Sequence, residues 1–301
     1  MLVPFLALAA AGSCPQQANA LEAAASAVEM HYFEEDMAGR IARRLREEAA
    51  EARQRTCLDD AAFVDETNLI LDSYDAHFMF ERPGSETGAE DWLMAWRSES
   101  ATVNAGVREV RVLEGNVGYL RISSFYPWDL AKPKLEAAAA FLSDTKGLII
   151  DLRRNGGGDA LTAQHLVRAL APMAEAVQTI QRRRGTSTES LPAPELDLGG
   201  DAPPVAILMD RRSGSASEFV AYSLQALGRA LIVGSRSGGV ANMIGDPVEL
   251  GESYAISIPD ARPVNLTTGA NWEGTGVRPD VPGGDDPVYV ARRTLEERLS
   301  P

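Results

Sequence analysis

Lysine is nearly missing from this chain of 301 residues: Lys132, Lys134 and Lys146 are the whole supply, and arginine provides the rest of the 29 basic side chains. Any chemistry that needs a neutral lysine as base must draw on that one short stretch. Histidine is equally scarce, at His31, His77 and His165, so the search for an imidazole base is brief. Cysteine occurs only at Cys14 and Cys57. If residues 1–20 are removed, Cys57 alone remains, which excludes a disulfide framework, a dithiol redox site and a cysteine-ligated zinc. Beyond the first residues, no apolar run approaches the roughly 18 to 20 residues needed to cross a bilayer, so no membrane span is expected. Positive charge is also short: 43 acidic residues give a net charge of -14. The basic clusters Arg40–Arg46 and Arg182–Arg184 are small and far apart, and such a surface repels phosphate backbones. Nucleic acid is excluded as a partner. Three further absences narrow the chemistry, since the chain has no G-x-G-x-x-G or P-loop GK[ST] for nucleotides and no G-x-S-x-G elbow of the lipase and esterase type. No metal or organic cofactor is implied.

What is present describes a globular protein. With 45% hydrophobic and 24% charged residues, the chain fits one moderate domain and a smaller module. Residues 1–20 read as a signal peptide: an apolar run, Leu2 to Ala11, precedes Ala18-Asn19-Ala20, which has the small-x-small form of a cleavage site. A basic n-region is lacking, and a buried N-terminal helix is the alternative reading. The first reading implies a periplasmic or secreted protein. Cys14, in Ala11-Gly12-Ser13-Cys14, sits in a poor lipoprotein box.

Residues 21–84 form a helical module by pattern, because Met37, Ile41, Ala42 and Leu45 recur at helical spacing. A second helix runs from Leu58 to Leu71, opened by Asp59 or Asp60. Residues 85–106, with Pro83-Gly84-Ser85 before them, read as a linker that includes an amphipathic piece around Trp92 and Trp96. From residue 107 to 301 the pattern is α/β. Val107–Leu113 and Val117–Ile122 flank a tight turn. Helices near 131–142, 161–171 and 215–227 then alternate with strands at 147–151, 177–182, 205–209 and 231–233. Strand pairs at 248–258 and a helix at 288–299 close the chain.

Three clusters carry candidate chemistry. In Ser213-Gly214-Ser215-Ala216-Ser217-Glu218, Ser215 and Glu218 spell a capping box. The same serine at a strand-to-helix elbow would project its hydroxyl beside the Ala216 amide, a ready oxyanion donor. Asp151-Leu152-Arg153-Arg154-Asn155-Gly156-Gly157-Gly158 is an apolar strand running into three glycines. It is a tight turn or a backbone anion hole, glycine letting amides approach a ligand closely. Asn271-Trp272-Glu273-Gly274-Thr275-Gly276 is an ordinary turn-rich loop or the seat of a third, orienting group. Among the histidines, His31 and His165 lie within helical stretches and read as packing or surface residues. His77 follows a helix break in Asp75-Ala76-His77-Phe78 and can reach across a cleft. No lysine follows Ser215, so a serine-lysine dyad requires the helix bearing Lys132 and Lys134 to reach the site.

Taken in order, Gly118-Tyr119-Leu120-Arg121-Ile122 with Phe125, the D-L-R-R-N-G-G-G loop, S-A-S-E, Gly234 to Gly239, and W-E-G-T-G-V-R-P-D resemble the tail-specific (C-terminal processing) protease and tricorn-core serine peptidases. The modules of interphotoreceptor retinoid-binding protein are related to them. The resemblance implies an α/β fold with a crotonase-like ββα core and an N-terminal helical module. It implies a serine peptidase acting on a peptide or protein substrate. Ser215 would be the nucleophile, His77 the general base and Glu273 the orienting acid, with the amides of Ala216 and Gly157 as oxyanion donors. In the tail-specific branch a lysine follows the Gly234–Gly239 stretch; Val240 stands there in this chain, which selects the histidine branch. Only 29 residues separate His77 from Val107, too few for a PDZ domain of ~50 residues or more. The alternative implied by the same fold is a non-catalytic protein that binds a hydrophobic ligand. An acyl-CoA enzyme is a third reading, and no basic cluster near the glycine loop supports it.

Overall fold

The computed structural model describes residues 13–82, 89–199 and 203–299. In chain order the helices are α1 (Pro15–His31), α2 (Glu35–Ala52), α3 (Asp60–Asp72), α4 (Ala89–Thr102), α5 (Trp128–Leu142), α6 (Ala160–Leu170), α7 (Ala216–Ala226) and α8 (Pro287–Leu299). The strands are β1 (Met79–Glu81), β2 (Val107–Leu113), β3 (Val117–Ile122), β4 (Gly147–Asp151), β5 (Ala176–Arg182), β6 (Gly185–Ser190) and β7 (Val205–Met209). They continue with β8 (Ala230–Gly234), β9 (Met243–Ile244), β10 (Val248–Leu250), β11 (Tyr254–Ser257), β12 (Pro259–Asn265) and β13 (Val281–Pro282). The chain divides into two compact units.

Within its described residues, the first unit holds 13–82 with Arg182–Arg184 and Met243–Ala261. Helices α1 and α2 bury alanine-rich stripes: Ala18, Leu21, Ala25 and Val28 on α1, and Ala38, Ile41, Ala42, Leu45 and Ala49 on α2. The three- and four-residue spacing puts each stripe on one face, and small side chains let the two helices approach closely. Asp59 caps α3, its carboxylate accepting from the Ala62 amide at 3.0 Å. Strand β1 pairs antiparallel with β11, which pairs in turn with β10. Asn68 on α3 holds β1 in place, since its side chain accepts from the Phe80 amide (2.7 Å) and donates to the Phe80 carbonyl (2.8 Å).

Two features of this unit lie beyond the local sequence pattern. Ala18-Asn19-Ala20 lies inside α1, with Ala18 and Ala20 buried, and Cys14 forms a disulfide with Cys57. Gln17 also anchors the same segment, donating to the Leu58 carbonyl (2.8 Å) and accepting from its amide (3.2 Å). Cys57, expected to stand alone only if residues 1–20 are removed, is paired with Cys14 here. The Cys14 thiol, considered above for lipid, is used by that bond. The module is also not purely helical or continuous, because residues 243–261 return to it as strands, which local periodicity in residues 21–84 could not signal. Closing a loop with a sequence separation of 43 corresponds to about 4 kcal/mol in the chain-entropy account. Cys57→Ser is expected to lower the unfolding free energy by up to that amount, as urea denaturation with and without reductant would show.

The second unit contains 89–181, Gly185–Asn242 and 262–299 among its described residues. Its centre is a six-stranded sheet in the order β13-β8-β7-β4-β3-β2, parallel except for the antiparallel β2–β3 hairpin. Every residue of β4 and β7 is buried, as parallel strands covered on both faces require. Leu120, Ile122, Leu148, Ile150, Val205 and Ile207 pack under α5, α6 and α7. Tyr119, Ile149, Ala206 and Leu208 face Ala291 and Leu295 of α8 instead. Beside this layer β5 lies next to β6 and to β12, where the Leu266 amide reaches the Val177 carbonyl (2.9 Å). The stretch expected as a linker at 85–106 carries α4 and a short 3-10 turn at Asn104–Gly106. The architecture is mixed α/β, and ligand crevices in such sheets form outside the carboxyl ends of the parallel strands.

Candidate active site

In the first unit, α3 ends at Ser73 and the chain turns through Asp75 into β1. The Asp75 amide donates to the Leu71 carbonyl (3.1 Å), and the Phe78 amide to the Asp75 carbonyl (3.3 Å). This turn presents His77 half-buried while Asp75 is fully buried. Asp75 Oδ1 accepts from the His77 amide at 2.9 Å and lies 3.5 Å from His77 Nδ1. Its Oδ2 accepts from the Tyr32 hydroxyl at 3.3 Å, and the Tyr32 ring stacks on Phe78 at 5.4 Å. A buried carboxylate beside Nδ1 fixes an imidazole's orientation and leaves Nε2 to act as base. Within this unit the carboxylate beside His77 is that of Asp75. The D-x-H spacing was the available signal.

In the second unit, β7 delivers the chain to Asp210–Gly214 and then to Ser215, which caps α7. Two loops are laced together here. Ser213 Oγ accepts from the Asp210 amide (3.0 Å) and donates to the Leu152 carbonyl (2.9 Å). The Asn155 carbonyl accepts from the Gly214 amide (3.0 Å) and the Ser217 hydroxyl (2.7 Å). Ser215 itself has φ 51° and ψ -121°, a backbone that costs a non-glycine residue roughly 1–3 kcal/mol and is concentrated at functional sites.

Glu218 braces this elbow. Its buried carboxylate accepts from the amides of Ser215 (3.0 Å), Gly239 (2.7 Å) and Val240 (2.9 Å) and from the Ser237 hydroxyl. Burial pushes its pKa up, against those donors, which favour the charged form. Sequence reasoning saw only the capping box and missed that the same acid gathers the Ser237–Val240 loop. Val240, at the position of the missing lysine, accepts from the Ser215 amide (3.1 Å) and from Trp272 Nε1 (3.2 Å). One residue on, Glu273 Oε2 accepts from the amides of Ala241 (2.6 Å) and Asn242 (2.9 Å). Glu273 thus fastens the loop whose Val240 carbonyl accepts from the Ser215 amide.

The expected oxyanion donors differ from each other. The Ala216 amide opens α7 and has no hydrogen-bond acceptor among the described residues, as the first amide of a helix does not. The Gly157 amide donates to Asn155 Oδ1 at 2.8 Å. Its carbonyl accepts from the Phe125 amide (2.9 Å). What Gly157 supplies is proximity: at φ 113°, an added Cβ would fall 2.8 Å from Ser215 Cβ and 3.0 Å from the Ala216 nitrogen. Gly157→Ala is therefore expected to displace the elbow, costing about 1–3 kcal/mol of stability and about tenfold or more in turnover. Thermal melts and peptide-hydrolysis rates on the same preparation check both parts.

The lysines serve elsewhere. Lys132 pairs with Glu195, Lys134 is exposed, and Lys146 precedes β4, at the end of the parallel strands opposite to the one that leads into Ser215. His165 is buried and stacked on Trp128 at 3.7 Å, and burial lowers its pKa, in keeping with a packing role.

A serine at a strained strand-to-helix elbow, braced by a buried acid and lying against a glycine loop, marks an α/β protein built in the manner of a serine hydrolase. The chain belongs to Peptidase family S41, whose pattern matches residues 116–282. It is 31% identical over 175 residues to a carboxy-terminal-processing protease of Bartonella bacilliformis, covering 56% of this chain and 39% of that protein. It is 26% identical over 205 residues to the carboxy-terminal processing protease CtpB of Bacillus subtilis, covering 67% and 40%. The chain thus spans about two fifths of the length of these curated relatives. Among solved structures, the photosystem II D1 C-terminal processing protease superposes with a TM-score of 0.58 at 18% identity, over 96% of this chain and 99% of that one. A lipoprotein from Streptococcus agalactiae does so with a TM-score of 0.64 at 16% identity, over 98% and 100%. These two likenesses concern the fold.

Proposed function

We propose that this protein is an exported serine peptidase in which Ser215 attacks a peptide carbonyl and His77 takes the Ser215 proton. The observation that carries the reading is the strained Ser215 elbow, held by Glu218 and opening on the Ala216 amide. In the proposed reaction the serine oxygen forms a bond to the carbonyl carbon, and the oxyanion is received by Ala216 N–H. The imidazolium, held by Asp75, returns its proton to the leaving amine. Water, activated by the same imidazole, then hydrolyses the ester. Glu273 acts as a positioning residue through Ala241 and Asn242. Gly157 serves by its missing side chain rather than by a donated proton. The order β2–β3 hairpin, α5, β4 supports a crotonase-like ββα description of the core.

Export is supported by the Cys14–Cys57 disulfide, since such bonds persist in oxidising compartments. The substrate is a peptide or protein segment. A protein that only binds a hydrophobic ligand has no use for a strained serine and a buried imidazole-carboxylate pair, and the curated relatives described above are proteases. The test is labelling with a fluorophosphonate followed by peptide mapping. An adduct on Ser215 that requires His77 is the expected result; an unlabelled Ser215 in a folded, full-length preparation overturns the reading.

A further inference from the structure

The second unit carries a feature that the proposed peptide hydrolysis does not use. A cavity of about 370 Å³ is lined by Arg121, Arg153, Arg154 and Asp210. All four belong to the second unit and sit at the carboxyl end of the parallel sheet. Arg121 is the penultimate residue of β3, in register with Asp151 of β4. Arg153 and Arg154 open the glycine loop, and Asp210 opens the loop to Ser215. In a chain of net charge -14, a cavity lined by three arginines and a single aspartate calls for a partner.

Of the acids nearby, Asp151 and Glu109 are paired with arginines within the protein. Asp151, fully buried, accepts from Arg153 Nε (2.9 Å) and Nη2 (2.5 Å), from the Arg153 amide (3.0 Å) and from the Tyr119 hydroxyl (2.7 Å). Burial pushes the Asp151 carboxyl up, but the Arg153 and Tyr119 hydrogen bonds outweigh it and hold the carboxyl below its ordinary value. Asp210 Oδ1 accepts from the amides of Arg154 (3.0 Å) and Arg212 (2.9 Å). Glu109, opposite Arg121 in the β2–β3 register, pairs with Arg111 at 2.8 Å. Among the described residues this leaves the guanidinium groups of Arg121 and Arg154 without a carboxylate, and Arg121 Nε is enclosed without a hydrogen-bond acceptor. Arg154 is further held at φ 62°, a left-handed backbone that L-residues other than asparagine and aspartate seldom adopt. It is fixed there by the Asp210 carboxylate.

We infer that Arg121 and Arg154 form an oxyanion-binding site where β3 ends and the two loops that carry Gly157 and Ser215 begin. Paired guanidinium groups suit acceptor oxygens of a carboxylate or phosphate, with forked geometry and charge that neither group satisfies within the protein. The source is either the carboxylate of a peptide chain end or free phosphate. A ligand there would tie β3 to the Asp210 loop, and its binding can be measured without catalysis.

The experiment titrates inorganic phosphate into the full chain and into Arg121→Gln and Arg154→Gln, with heats of binding as the readout. Arg212→Gln, whose side chain does not line the cavity, is the control for general surface charge. Saturable binding near about 1 mM, weakened about tenfold or more by either cavity substitution and unchanged by the control, is expected. A matched peptide pair, free acid and C-terminal amide, is then titrated against Ser215→Ala to prevent turnover. Selective binding of the acid in competition with phosphate identifies the peptide carboxylate as the source; phosphate binding alone identifies the free anion. Absence of saturable phosphate binding, or equal binding by Arg121→Gln and Arg154→Gln with unchanged melting curves, overturns the site. Labelling at Ser215 is read separately, so the peptidase reading and this site fail independently.

Discussion

Ser215→Ala is expected to remove peptide hydrolysis almost completely, by about 10⁴-fold or more in kcat, while leaving the fold in place. The nucleophilic oxygen has no substitute in the site: Ser213 Oγ is committed to Asp210 and Leu152, and Ser217 Oγ to Asn155 and Gly214. Alanine keeps the Cβ, so the backbone at φ 51° and ψ -121° remains strained and melting should move little. Glycine at the same position removes the strain along with the nucleophile. It is expected to raise stability by about 1 kcal/mol while being equally inactive, a pairing of effects that marks stored strain. His77→Ala should lose a comparable fraction of the rate, and the double variant should lose little more, because base and nucleophile act as one unit. Steady-state rates on an unstructured peptide, with circular dichroism for the fold, check the series. Retention of half the wild-type rate by Ser215→Ala would end the mechanism.

Much of this arrangement could be read from the residues, and the parts that could not share a cause. Local pattern found the strand 147–151, the strand 205–209 and the helix opened by Ser215, because buried strands and capped helices are written in neighbouring residues. It found Asp59 as a cap and His77 at a helix break for the same reason. The misses are long-range. Residues 243–261 rejoin the first unit, and nothing in their own alternation says which sheet edge they meet. Cys14 looked like part of a leader because an apolar run followed by small residues describes a cleavage site and a buried alanine-rich helix equally well. The pairing of Cys14 with Cys57, a sequence separation of 43, is likewise long-range and has no local signature. Gly157 was legible as a residue, whereas the hydrogen bond of its amide to Asn155 Oδ1, two positions earlier in the same loop, was not. Asp75 was visible beside His77, yet a carboxylate two residues from an imidazole meets it only when the turn folds back, as the Asp75–Phe78 hydrogen bond makes it do.

Glu218→Ala is expected to damage both stability and catalysis, and it separates the elbow's support from its chemistry. The carboxylate collects the amides of Ser215, Gly239 and Val240 and the Ser237 hydroxyl. Ser215 N–H retains the Val240 carbonyl, whereas the amides of Gly239 and Val240 would be left buried without acceptors. Each such group costs about 1–3 kcal/mol, so a loss of about 2–6 kcal/mol follows. Glutamine fills the same volume but can offer acceptor lone pairs on one side only, and its NH₂ group then faces donors. Glu218→Gln is accordingly expected to be less destabilised than alanine but still below wild type. If Glu218 only capped α7, both variants would cost about 0.5–2 kcal/mol and leave turnover nearly unchanged. Because the Gly239–Val240 amides hold the loop that Ser215 and Glu273 both touch, the brace predicts a fall in kcat with little change in KM, and fluorophosphonate labelling of Ser215 should slow in parallel.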